Sequence, residues 1–199
     1  MKTRFLMVRH ATCAHTDDTL LGRTLDSPLD AHGERQATAL AERLRAEAPT
    51  CVESGPRRRT LQTAQAIAER AGCGMKVSPA LDELDFGDWS GRTFTQLERE
   101  SGWRLWNHDR DRARTPAGLD IRAVQRSIAL HLAALAATCA GATLVLVTHA
   151  EIIRSLVLHC LHAPAGDYVR FAVAPASITC FSSDASGLHV EALNEVVAP

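Results

Sequence analysis

Two apolar runs constrain this chain more than anything else in it. Phe5-Leu6-Met7-Val8 runs straight into Arg9-His10, and Leu144-Val145-Leu146-Val147 runs into Thr148-His149. Short unbroken runs with β-branched members suit strands buried on both faces, the mark of central positions in a parallel sheet. Arginine and histidine are costly to bury unless something pairs with them. Their natural place is the carboxyl end of the strand, where open α/β sheets put their ligand crevice. Either end alone is equally an ordinary strand end with solvated polar residues. Two in one chain place His10 and His149 in a single crevice, with His10 a candidate nucleophile and Arg9 a candidate anion clamp.

Between the runs the pattern alternates strand and helix. A polar loop spans 14–27. Asp30 is placed to cap a helix whose apolar face is Ala37, Leu40, Ala41 and Leu44, closed by Pro49. Cys51-Val52 is a short candidate strand. The next helix carries Leu61, Ala64, Ile67, Ala68 and Ala71 on one face and ends at Gly72. Lys76-Val77 reads as a brief strand, and 81–91 reads as loop. Trp103, Trp106, arginines and acidic residues then crowd together without a clean period. This predicts a small helical insertion around 93–118, either a lid or a solvated excursion. Ile121, Val124, Ile128, Leu132, Leu135 and Cys139 form a long amphipathic helix, and Ile152, Ile153, Leu156, Val157 and Cys160 form the helix after the second run. The tail reads as short strands at 168–173, 178–181 and 188–193, with a turn over 183–187. The expectation is one α/β domain over 1–199, its sheet mostly parallel with antiparallel edge strands.

Charge narrows the function. The net charge of −1 gives no global field for nucleic acid or an acidic membrane, so an anion site has to be local. Neither nucleic acid nor membrane is expected as a partner, and an oligomer is possible but not indicated. With no transmembrane-length run and the first strand starting near Met1, a cytoplasmic location is expected. Six dispersed cysteines without a CxxC pair predict free, mostly buried thiols. His159 and His162, placed on one helix face, lack nearby carboxylates and are read as a structural pair, so no metal site is expected.

Arg57-Arg58-Arg59 opens a helix just after the Cys51-Val52 strand. Helix N-termini attract anions, and arginine there does nothing for the helix, which leaves either function or a solvated charge run. Asp82-Glu83 supplies candidate carboxylates. Two imidazoles, two guanidiniums and a carboxyl are a kit for phosphoryl transfer through a covalent intermediate. Arginine forks match phosphate oxygens, neutral imidazole is a competent nucleophile, and a carboxylic acid can protonate a leaving oxygen. Neither metal nor cofactor is required, because the cations supply the positive charge.

These blocks in this order resemble the histidine phosphatase superfamily, in its phosphoglycerate-mutase-like branch, and more narrowly the α-ribazole phosphatases. The resemblance is carried by Arg9-His10, by Ser54 to Ala64 with Arg59, by Glu83-Leu-Asp-Phe-Gly-Asp-Trp-Ser-Gly91 and by Thr148-His149. The pattern Gly22, Asp26-Ser-Pro-Leu29, Gly33, Gln36-Ala37 adds to it. It implies a three-layer α/β/α sandwich, His10 as the phosphorylated nucleophile, and Arg9, Arg59 and His149 as the phosphate's holders. It also implies Glu83 as proton donor and then base for water. Thr16, at a position usual for asparagine, is carried over as a phosphate contact. Ala11 and Ala150 replace the family's glycines after the two histidines. The implied activity is metal-independent hydrolysis of a small phosphorylated metabolite, of the α-ribazole phosphate or sugar phosphate type. A phosphoglycerate mutase and a non-catalytic phospho-ligand binding module are the alternatives. Arg57, where the family carries an apolar residue, is left as surface or substrate rim.

Overall fold

The first strand, β1 (Thr3–Arg9), has Phe5, Leu6, Met7 and Val8 all at 1% exposure or less. The structure, a computed structural model, describes residues 1–14 and 18–199. Alternation along β1 sends Phe5 and Met7 into one apolar cluster and Leu6 and Val8 into the other, so the sheet has a core on each face. Helices α1 (Ala31–Arg45) and α2 (Arg58–Ala71) cover one face, and α5 (Ile121–Thr138) and α6 (Ala150–Cys160) cover the other. This is the expected three-layer α/β/α sandwich.

The sheet has six strands among the described residues, in the order β3-β2-β4-β1-β5-β6. Strands β1, β2 (Cys51–Ser54), β3 (Gly74–Val77) and β4 (Thr143–Thr148) run parallel, while β5 (Ser177–Asp184) and β6 (Gly187–Val196) add antiparallel at one side. Although β1 and β4 come from opposite parts of the chain, they are neighbours. Their register pairs Arg9 with Thr148, and the His10 amide donates to the Thr148 carbonyl at 3.0 Å. The two histidines that follow therefore emerge side by side at the carboxyl edge.

Local chemistry sets the helix starts. Asp30 caps α1 through the Gly33 amide at 2.7 Å. Arg57 at the N-cap of α2 makes no side-chain capping bond, and Asp26 reaches across to accept from the Arg58 amide at 2.7 Å. The region 93–118 contains a one-turn helix α3 (Phe94–Leu97), held by a Thr93–Gln96 capping box, and α4 (Ser101–His108), which buries Trp106.

The segment after His10 is pinned from two helices. The Ala11 amide donates to Thr63 Oγ1 (3.1 Å) and the Thr12 amide to Gln36 Oε1 (2.9 Å). Gly33 is the contact that brings α1 this close, since a Cβ there would sit 1.9 Å from the Thr12 carbonyl oxygen. Gly33→Ala is expected to destabilise the protein by about 1–3 kcal/mol, the usual cost of overpacking against rigid backbone. It should also lower activity, because the shifted segment carries His10. Urea denaturation read beside kcat/KM checks both, and an unchanged midpoint would contradict the packing.

Three expectations need correction. The 168–173 stretch is no strand: Ala165–Arg170 is a 3-10 turn, and its β-forming residues serve a different contact, described below. Cys13 alone is buried, and the other five cysteines are half-buried. His159 and His162 do not share a helix face, because α6 ends at Cys160 and His162 lies beyond it at φ +51°. Among the described residues no three of His, Cys, Asp and Glu are grouped to hold a metal, and no helix is long and apolar enough to cross a membrane.

Candidate active site

His10 and His149, ending β1 and β4, bring their ring centroids to 5.2 Å with the planes at 62°. Both are almost wholly buried. Burial is the main force holding His10 well below the ordinary histidine pKa, followed by the charges of Arg59 and Arg9. His149 is depressed likewise, by burial first and then by Arg59 and His10. Both rings are therefore neutral near pH 7.

Hydrogen bonds fix which nitrogen of each ring is available. His10 Nδ1 lies 2.8 Å from the Ala11 carbonyl, which can only accept. The proton is thus on Nδ1, and Nε2 keeps its lone pair. Arg59 Nη2, always a donor, lies 3.3 Å from His149 Nδ1. That nitrogen accepts, so the His149 proton is on Nε2, a buried atom with no partner among the described residues. One ring presents a lone pair and its neighbour presents an N–H.

The three consecutive arginines meet three fates. Arg58 points to solvent. Arg59 is 1% exposed and is held from behind by the carbonyls of Gly22 (3.0 Å) and Leu25 (3.3 Å). Gly22 adopts φ +53°, which turns its carbonyl to that task, and a Cβ there would meet Ser90 Oγ at 2.3 Å. Arg57 forks both oxygens of Asp82, at 2.7 and 2.8 Å. Arg57 is therefore neither idle surface nor rim: it ties the 81–91 loop to the start of α2. On the other side Arg9 extends Nη1 to the Val173 carbonyl at 2.7 Å.

Fixing that loop distinguishes its carboxylates. Asp82 is occupied by Arg57 and also accepts from the Glu83 amide at 2.8 Å. Thr148 Oγ1 reaches the Leu81 carbonyl (2.8 Å) and Arg23 Nε the Glu83 carbonyl (2.6 Å), so backbone on both sides is held. Glu83 accepts from the Leu84 amide on Oε1 (2.9 Å) and places Oε2 3.5 Å from His149 Nδ1. Burial pushes its carboxyl up to about 7, against the opposing charge of Arg59. Asp85 caps the Gly87 amide nearby (3.0 Å). Thr16, the remaining candidate, lies outside the described residues.

The raised Glu83 pKa has a stability consequence. A carboxyl whose folded pKa lies above its unfolded value binds protons more tightly when folded, so stability falls as pH rises from about 4.5 through about 7. Glu83→Gln removes that dependence. The variant is expected to be more stable than the parent by roughly 2–3 kcal/mol at pH 8, with the gap closing below pH 4.5. Thermal melts across this range test it, and a gap independent of pH would contradict a proton-linked origin.

One cleft, of about 270 Å³, adjoins these groups, and His149, wholly buried, lies beside His10 without lining it. Arg9, His10, Arg59 and Glu83 lie within it, Phe94, Trp103 and Trp106 wall it from α3 and α4, and Arg110, Glu151, Arg154 and Tyr168 complete it. The sequence pattern did not pick out those last four. They come from three separate segments, and an acidic residue in the first turn of a helix is ordinary by itself.

Known proteins resemble this chain in sequence and in fold. The probable phosphoglycerate mutase GpmB of Klebsiella pneumoniae is 35% identical over 162 residues, spanning 80% of this chain and 75% of its own. The mycobacterial glucosyl-3-phosphoglycerate phosphatase, solved with VO3, superposes with a TM-score of 0.85 at 27% identity, covering 96% of this chain and 99% of its own. An Entamoeba histolytica phosphoserine phosphatase, solved with phosphoserine, shares the fold with a TM-score of 0.89 at 23% identity, covering 98% of each chain. The profile described as "Histidine phosphatase superfamily (branch 1)" matches residues 5–196, and the chain belongs to that superfamily.

Proposed function

We propose that this protein hydrolyses small phosphate monoesters through a phosphohistidine on His10. The observation that carries the reading is the complementary pair of neutral imidazoles, with Arg59 and a carboxyl of pKa near 7 both beside His149 Nδ1. The Nε2 lone pair of His10 attacks phosphorus as the bond from phosphorus to the alcohol oxygen breaks. Arg9, Arg59 and the His149 Nε2–H hold the phosphoryl oxygens and stabilise the charge that builds on them. Thr16 is proposed as a further contact, from the family resemblance. Protonated Glu83 gives its proton to the departing oxygen and becomes a carboxylate. It then takes a proton from water as that oxygen attacks phosphorus. The P–N bond breaks, phosphate is released and His10 is again neutral. No step calls for a metal or cofactor. The α-ribazole phosphate and sugar phosphate types remain the substrates proposed from resemblance.

The relatives named phosphoglycerate mutases favour one second reading, transfer of the phosphoryl group back to a second hydroxyl of the substrate. That reading needs the phosphohistidine to be shielded from water. Phosphate release from p-nitrophenyl phosphate, run beside interconversion of 3- and 2-phosphoglycerate, separates the two. Release without interconversion is expected, and activity in neither assay would indicate a binding module.

A further inference from the structure

The segment 22–26 touches both halves of the site at once. The carbonyls of Gly22 and Leu25 hold Arg59. Arg23, between them, reaches the 81–91 loop. Its Nε donates to the Glu83 carbonyl at 2.6 Å, and carboxylate oxygens of Asp82 and Asp85 stand 3.5 and 3.9 Å from its guanidinium. The Arg23 carbonyl accepts in turn from Arg57 Nη1 at 2.7 Å. Arg57 forks Asp82, and Asp82 accepts from the Glu83 amide. These bonds close a ring: Arg23 to Glu83, Glu83 to Asp82, Asp82 to Arg57, and Arg57 back to Arg23. Glu83 is thereby gripped by its backbone on both sides of the Cα that bears the acid.

Stability gives little reason for Arg23 to be there. Its side chain is 40% exposed, and ion pairs that open to water contribute little. Chemistry gives a better one. Packing leaves the loop some slack, since a cavity of about 250 Å³ lies against it, lined by Asp82, Glu83 and Leu84 and by Val124 and Ile128 of α5. A general acid works only within hydrogen-bond reach of the oxygen it protonates. A displacement of about 1 Å can cost roughly 10²-fold in rate. The contact of Arg23 with Glu83 is to the peptide carbonyl, so what it sets is position.

Resting on the phosphatase reading, we propose that Arg23 is a positioning residue for Glu83, holding the acid within reach of the leaving oxygen. The attack by His10 does not pass through it. Because Gly22 and Leu25 flank Arg23 and hold Arg59, the acid is placed directly against the group that holds the phosphate. Arg57 fixes the ring from the start of α2, the helix that also carries Arg59.

The test is a double-mutant cycle read on phosphoenzyme formation by rapid quench. The two substrates are phenyl phosphate and p-nitrophenyl phosphate, alike in shape but unlike in their need for a proton on the leaving oxygen. Arg23→Met keeps the stem and removes the donors. It is expected to slow the reaction of phenyl phosphate roughly tenfold or more, and that of p-nitrophenyl phosphate by no more than about twofold. Arg23→Lys, which keeps a donor for the Glu83 carbonyl, should regain part of the loss. Added to Glu83→Gln, Arg23→Met should slow phenyl phosphate no further, because a residue that acts through the acid has nothing left to act on. Thermal melts should show a folded protein, with Tm lowered by no more than about 4 °C. Equal slowing of both substrates by Arg23→Met, or losses that multiply in the double variant, would overturn the role. A parent that forms no phosphoenzyme from p-nitrophenyl phosphate overturns the phosphatase reading and this role with it. A parent that forms it, with multiplied losses in the cycle, overturns the role alone.

Discussion

His10→Ala is expected to lose turnover by at least about 10⁴-fold and to take up no covalent phosphate from substrate. The size follows from its position. Among the described residues His10 Nε2 is the imidazole lone pair free at the crevice, because its own Nδ1 is committed to the Ala11 carbonyl and His149 Nδ1 faces Arg59. Both rings lie in the same buried electrostatic setting, so removing His149 serves as the internal comparison. His149→Ala should cost about 10² -fold or more through lost charge stabilisation, yet leave detectable labelling. Acid-quenched enzyme exposed to ³²P-labelled substrate distinguishes the two. Label that persists in His10→Ala and vanishes in His149→Ala would exchange their roles.

Glu83→Gln should slow alkyl phosphate hydrolysis by roughly 10²–10⁴-fold, the usual worth of general acid–base catalysis. Glutamine keeps the size and can still accept from the Leu84 amide, but it carries no transferable proton. Alkoxides are strongly basic and need that proton to depart, whereas p-nitrophenolate can leave without it. Phosphoenzyme formation from p-nitrophenyl phosphate should therefore fall much less. Its steady-state rate can still drop through the second step, where Glu83 activates water, and rapid-mixing bursts separate the two. In the parent, the alkyl phosphate burst should decline as pH rises through about 7, where the acid loses its proton. An equal burst loss for both substrates would remove Glu83 as the acid. Asp82→Asn showing the leaving-group dependence in its place would move the role by one residue, against the fork from Arg57 that occupies both Asp82 oxygens.

Much of this site was legible because it is built at strand ends. Val8-Arg9-His10 and Val147-Thr148-His149 announce buried strands that stop at polar residues, and adjacent parallel pairing does the rest. Arg59 was visible as a cation at a helix start, but nothing local separates it from Arg57 and Arg58. Their different fates depend on Asp82, Gly22 and Leu25, all far away in sequence. The ambiguity between Asp82 and Glu83 has the same origin, since it is Arg57, distant in sequence, that engages Asp82, while Glu83 lies beside His149. The 168–173 stretch misled because its β-forming residues are used in tertiary contact: Tyr168 stacks on Arg110 and the Val173 carbonyl holds Arg9. Propensity loses to such contacts whenever an aromatic ring has a cation to cover.

The sheet order also governs how the protein can be made. Strand β1 hydrogen-bonds to β4 on one side and β5 on the other, and both come late in the chain. During synthesis from the amino end, β1 emerges ahead of both neighbours and has neither partner until Thr143 and the residues beyond it have been added. In the native sheet β1 and β2 are not neighbours, since β4 lies between them. A nascent chain of this protein therefore carries a two-edged apolar strand with no native neighbour for most of its elongation, a template for association with other chains. The price of placing two distant histidines side by side is that the strand carrying one of them waits unpaired while most of the chain is made.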